Sequence, residues 1–90
     1  MLKVVKFGAS WCMPCKQLDK ILNELKGDII GDVKFESYDV ESDVDYASKF
    51  EIYSLPTTFI LDAENDDKIL ESFVGIKSSS QIRQLINKYK

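Results

Sequence analysis

The 90-residue chain has no histidine and only two cysteines. These shortages limit metal chemistry first: zinc sites usually take four ligands from Cys and His, so a site within one copy would have to recruit carboxylates. There is no surplus of positive charge either, with 12 Lys and Arg against 15 Asp and Glu, a net charge of −3. A general nucleic-acid binder needs a clustered basic surplus, and here the positive residues are scattered. No apolar run reaches the roughly 18 residues of a membrane span. The opening MLKVVKF has lysines among its apolar residues, whereas a signal peptide carries an unbroken apolar stretch of about 7–15 residues. A cytoplasmic chain with no membrane or nucleic-acid partner is therefore expected. No internal repeat, linker or low-complexity segment appears.

Apolar residues make up 44% of the chain and charged residues 30%. That is enough for one core with a solvated surface, so residues 1–90 are read as a single small domain. Both cysteines and the only tryptophan fall in one decapeptide, FGASWCMPCK (7–16). In a reducing compartment two close cysteines are more often catalytic or metal-binding than a structural staple.

The apolar pattern orders the elements. LKVVKF (2–7) reads as a strand buried on both faces. PCKQLDKILNELKG (14–27) places Leu18, Ile21, Leu22 and Leu25 on one helix face, with Gly27 as its stop. DVKFESYDV (32–40) is a second strand, with Val33 and Phe35 on one face and Tyr38 and Val40 on the other. Ser42 with Asp45 marks a helix start, and Val44, Ala47 and Phe50 form its stripe. TTFIL (57–61) is a third strand entered directly from Pro56. ENDD (64–67) is a turn, and ILESFV (69–74) closes a hairpin. Ser78 with Gln81 forms a capping box, and Ile82, Leu85, Ile86 and Tyr89 stripe a last helix. The order βαβαββα demands one parallel strand pair with a crossover helix and then antiparallel strands. The expected architecture is an α/β four-stranded mixed sheet flanked by three helices.

Cys12 falls where the first strand gives way to the first helix. Sites in open α/β sheets lie beyond the carboxyl ends of strands. A helix N-terminus offers unpaired N–H groups and partial positive charge, which favour a thiolate. Pro14 fits the first turn because no helical hydrogen bond is lost there. Cys12 is expected to be exposed and nucleophilic, and Cys15, deeper in the helix, to be the resolving thiol. A lone CxxC also occurs in zinc half-sites and in structural pairs; the strand–CxxC–helix context is what favours redox chemistry.

At this point the chain resembles the thioredoxin family. The family's WCGPCK stands here as WCMPCK (11–16), and SLPTTFIL (54–61) is similar to the family segment that carries a cis-proline before a strand. Gly75, after the last strand, matches a glycine of the family's substrate groove. Glutaredoxins are near relatives, but their usual tyrosine after a Cys-Pro pair is absent. The resemblance implies a thioredoxin-like fold and a monomeric thiol–disulfide oxidoreductase that reduces protein disulfides and binds no cofactor. It implies recharging by a flavin-dependent thioredoxin reductase using NADPH. It also implies a cis Leu55–Pro56 bond, and a substrate face built from Trp11, Met13, Leu55, Pro56, Gly75 and Ile76. Two other readings stay open: a glutathione-linked, glutaredoxin-like carrier, and a subunit that grips a partner through the Trp11/Leu55–Pro56/Gly75 face with its cysteines idle.

The chain departs from the family pattern in two places. It starts at the central strand, like a trimmed thioredoxin. It also carries Lys6 where the family has a buried aspartate six residues before the first cysteine. Charged and about 7 Å from the sulfurs, Lys6 would attract a thiolate by about 2 kcal/mol at an effective dielectric near 20. A neutral amine could instead accept a proton. The plainer expectation is that Lys6 snorkels to solvent or pairs with Glu36 or Asp39.

Overall fold

A computed structural model describes residues 1–29, 31 and 33–90. Its elements are β1 (Leu2–Gly8), α1 (Met13–Asp28), β2 (Val33–Asp39), α2 (Val44–Ala47), β3 (Thr57–Asp62), β4 (Lys68–Val74) and α3 (Ser79–Tyr89). The sheet order is β2-β1-β3-β4, with β1 parallel to β2 and antiparallel to β3, and β4 antiparallel to β3. This is the expected four-stranded mixed sheet. Among the described residues no helix is long and apolar enough to cross a membrane.

The two interior strands bury apolar side chains on both faces, because a strand covered on both faces needs no polar alternation. Val4 and Val5 on β1 and Ile60 and Leu61 on β3 have no exposed surface. On one face Leu2, Val4, Ile60 and Phe73 pack against Leu18, Leu22 and Leu25 of α1 and Ile82 and Ile86 of α3. On the other, Val5, Phe7, Phe59 and Leu61 meet Tyr46 and Ala47 of α2 together with Tyr38, Phe50 and Ile52. Period-two alternation therefore turns Leu2, Val4, Lys6 and Gly8 toward α1. That parity decides what surrounds the site.

Several local expectations need correction. Gly27 does not stop α1. The helix runs one residue further, to Asp28, and ends where Ile29 turns extended and donates its N–H to the Leu25 carbonyl at 2.8 Å. Ser42 does not cap α2. The helix is a single turn that starts after Asp43, whose carboxylate accepts the Asp39 N–H at 3.0 Å rather than capping it. Phe50 lies past the end of this turn yet still packs into the aromatic cluster. The expected start of β2 at Asp32 lies outside the described residues. Asp66 and Asp67 both take φ of 54° in the β3–β4 turn, a left-handed conformation that Asp tolerates better than most residues. The capping box forms as expected: Ser78 Oγ accepts the Gln81 N–H at 3.2 Å, and Gln81 Oε1 accepts the Ser78 N–H at 3.0 Å.

One buried group makes a stability prediction. Thr58 on β3 is fully buried, and its hydroxyl finds no hydrogen-bond partner among the described residues. Leaving such a group unpaired costs about 1–3 kcal/mol. Thr58→Val keeps the branched shape and removes the hydroxyl, so a gain of about 1 kcal/mol is expected. Thermal unfolding reads this as a midpoint several degrees higher; a lower midpoint would mean that the hydroxyl has a partner.

Candidate active site

The site forms where β1 ends. Residues 9–12 leave the sheet, and Cys12 is the N-cap of α1, with φ −94° and ψ 107°. Its N–H donates to the Ala9 carbonyl at 3.1 Å, and its sulfur accepts the Cys15 N–H at 3.3 Å. Met13 and Pro14 fill the first helical positions, and the first turn holds no acidic side chain. Nothing there competes with a sulfur anion for the helix's positive end. Cys12 and Cys15 are joined by a disulfide, with Cα atoms 5.3 Å apart.

Both cysteines are buried, Cys12 at 6% exposure and Cys15 at 1%. The exposed Cys12 expected from the sequence is therefore corrected for the oxidised state. Its sulfur is tied to Cys15, and Ala9 and Leu55 pack against the pair. Cys12 still lines a groove of about 600 Å³, shared with Trp11, Leu55, Val40, Ile52 and Tyr53. Trp11 is 67% exposed, and its indole N–H donates to Glu41 Oε1 at 2.9 Å. Met13 and Ile76 are exposed and are not among the walls of this groove. Leu55–Pro56 is cis and Pro56 is fully buried. The Pro56 carbonyl accepts the Gly75 N–H at 2.9 Å, which ties the Pro56 segment to the end of β4. Gly75 has φ 85°, a conformation that strains any residue with a Cβ.

Glu41 and Tyr53 escaped the sequence reading. Tyr53 had a usable signal: an aromatic two residues before the Leu55–Pro56 step. Glu41 had none, because its role depends on where the loop after β2 places its carboxylate.

Lys6 is buried and does not pair with Glu36 or Asp39. Its ammonium lies 2.9 Å from Asp19 Oδ1 on α1 and donates to Ser37 Oγ at 3.3 Å. Glu36 lies on the opposite face of β2, where its carboxylate accepts the Tyr38 hydroxyl at 2.8 Å. This hydrogen bond, helped by burial, pushes the Tyr38 pKa up to about 12. Asp39 shares the Lys6 face, but its Oδ1 accepts the backbone N–H groups of Glu41 and Ser42. Among the described residues no group of three or more His, Cys, Asp or Glu could hold a metal ion.

The thioredoxin family model matches residues 1–88. The chain belongs to the thioredoxin family. It is 35% identical to the thioredoxin of Staphylococcus haemolyticus over 89 residues, covering 98% of this chain and 82% of that protein. It is 32% identical to the thioredoxin of Bacillus subtilis over 83 residues, covering 92% and 77%. The thioredoxin of Fasciola hepatica superposes with a TM-score of 0.85 at 29% identity, covering 99% of this chain and 81% of that one. Thioredoxin-2 from the malaria parasite gives 0.86 at 26% identity, covering 98% and 82%. With its Cys12–Cys15 pair, this member of the family is a thiol–disulfide oxidoreductase.

Proposed function

We propose that Cys12 is the attacking thiolate and Cys15 the resolving thiol of a cycle that reduces protein disulfides. The observation that carries this reading is the asymmetry of the pair. Cys12 caps the helix, accepts a backbone N–H and faces the groove, while Cys15 lies behind it at 1% exposure. The balance is simple. Cys12 sulfur attacks one sulfur of the substrate disulfide, and the other leaves as a thiolate and takes up a proton. Cys15 then loses its proton and attacks Cys12 sulfur, and the second substrate sulfur leaves in the same way. Two electrons pass from the dithiol to the substrate.

Trp11, Leu55 and the groove they share with Cys12 would receive an extended apolar segment of the substrate. Met13, Pro56, Gly75 and Ile76 would extend that surface around the sulfurs. Pro56 also offers no N–H, and by resemblance to the family its ring would leave no room for a metal ligand beside the dithiol. The cycle needs no bound cofactor. It needs an external source of electrons, which we assign to a flavin-dependent thioredoxin reductase using NADPH. Such a monomeric carrier serves a reducing compartment, the cytoplasm.

Insulin reduction coupled to NADPH oxidation tests the reading. Turnover is expected with a bacterial thioredoxin reductase. Turnover with glutathione and glutathione reductase alone would make the protein a glutaredoxin-like carrier. No turnover in either system, with partner binding intact, would make it a binding subunit.

A further inference from the structure

Lys6 is 4% exposed, deep for a side chain that water solvates strongly. The reason for keeping it there lies at Gly8. A Cβ on Gly8 would sit 2.8 Å from Lys6 Nζ and 3.0 Å from Cys15 Sγ. The ammonium and the inner sulfur therefore flank the same empty position, less than about 6 Å apart, the range in which an opposite charge favours a thiolate. Behind them a cleft of about 460 Å³ is lined by Lys6, Gly8, Cys15, Asp19 and Ser37. Its other charged walls are Lys16 from α1, Asp39 from β2 and Asp43 from the following loop. Asp39 and Asp43 each accept backbone N–H groups through their carboxylates. From β3, the residue opposite Lys6 is the uncharged Thr58.

We infer that Lys6 is a positioning residue whose ammonium is shared between Asp19 and the sulfur of Cys15, so that Asp19 sets how much positive charge the resolving thiol feels. The inference rests on the proposed roles of the two cysteines. With the disulfide closed, Asp19 holds the ammonium at 2.9 Å. When the pair opens and the Cys15 S–H bond breaks, the proton leaves through the cleft and the sulfur becomes a second anion beside Lys6. Asp19 and the sulfur then compete for one cation. Gly8 is required because a side chain there would wedge the two apart.

Two full-length variants separate this from a merely structural ion pair. Lys6→Met removes the cation at similar length. It is expected to shift the exchange equilibrium with glutathione about tenfold toward the protein disulfide, a potential lower by about 30 mV. Asp19→Asn removes the competitor and is expected to shift it about threefold the other way, the smaller effect reflecting a partly exposed carboxylate. In a Cys12→Ser background, thiolate absorbance should show Cys15 titrating at higher pH in Lys6→Met and at lower pH in Asp19→Asn. A pair that only fastens β1 to α1 would lower the unfolding midpoint in both variants and leave exchange and titration where they were. Unchanged values, or shifts in the same direction, overturn the inference. If Lys6→Met does not fold, Asp19→Asn decides alone, since its shift must be toward the dithiol. A wild-type protein that reduces no insulin disulfide with thioredoxin reductase would instead overturn the proposed roles of the two cysteines themselves.

Discussion

Cys12→Ser is expected to abolish disulfide reduction, lowering the insulin-reduction rate by more than about a thousandfold, as removal of a reaction's nucleophile does elsewhere. A serine hydroxyl at a helix N-terminus remains protonated at neutral pH, and the positive end of α1 has no sulfur anion to hold. Cys15→Ser should also stop turnover, but at a different step. Its Cys12 still attacks, and the backbone N–H at residue 15, which lies 3.3 Å from the Cys12 sulfur, is unchanged by the substitution. The product is then a mixed disulfide that nothing inside the protein resolves. Intact-mass measurement after mixing with a disulfide substrate should find a covalent adduct in Cys15→Ser and none in Cys12→Ser. The reverse pattern would exchange the roles of the two cysteines.

The placement of Cys12 at the N-cap and of Cys15 inside α1 was legible in the sequence, because it follows from where a strand ends and a helix begins. Much of the fold was legible for the same kind of reason. The paired valines of β1 and the FIL run of β3 marked interior strands, and the three-four spacing of Leu18, Leu22 and Leu25 marked the buried side of α1. Ser78 and Gln81 announced the start of α3 because both halves of that hydrogen-bond exchange lie within four residues. At two helix ends the local signals lay a residue away from the observed boundary. Gly27 offered a helix stop, yet the helix was able to continue for another residue. Ser42 offered a cap, but its backbone N–H is held by Asp39, and the chain begins its helical turn after the next residue.

The site was legible at its centre and less so around it. Reading Cys12 as exposed treated it as a free thiol at a helix end and left out what a closed disulfide under Leu55 covers. Two different facts keep the expected partners from Lys6: Glu36 stands on the other face of the sheet, and the Asp39 carboxylate accepts backbone N–H groups of the following loop. Register pairs Lys6 with Ser37 and Val5 with Glu36, so Glu36 points to the other side. The signal for Asp19 was present all the same. It lies four residues after Cys15 on α1, one turn along the same helix face.

Leu18→Ala is expected to cost the most stability of any single change considered. Leu18 is fully buried in the cluster that joins α1 to Val4, Ile60 and Ile82. Truncating a buried leucine to alanine costs about 3–5 kcal/mol, the transfer term plus the cavity left behind. For a chain of this length total stability is roughly 5–13 kcal/mol, so one substitution removes a large share of it. The chemistry should respond differently. Leu18 lies three residues beyond Cys15 and touches neither sulfur cluster nor groove, so each folded molecule keeps its helix N-terminus and its Cys12–Cys15 geometry. Urea unfolding should therefore show a midpoint well below wild type with the slope unchanged. At low temperature, where the variant remains folded, its exchange equilibrium with glutathione should match wild type. A small loss of stability would show that α1 is anchored elsewhere. A shifted equilibrium in a folded variant would show that the seating of α1 on the sheet tunes the sulfurs directly.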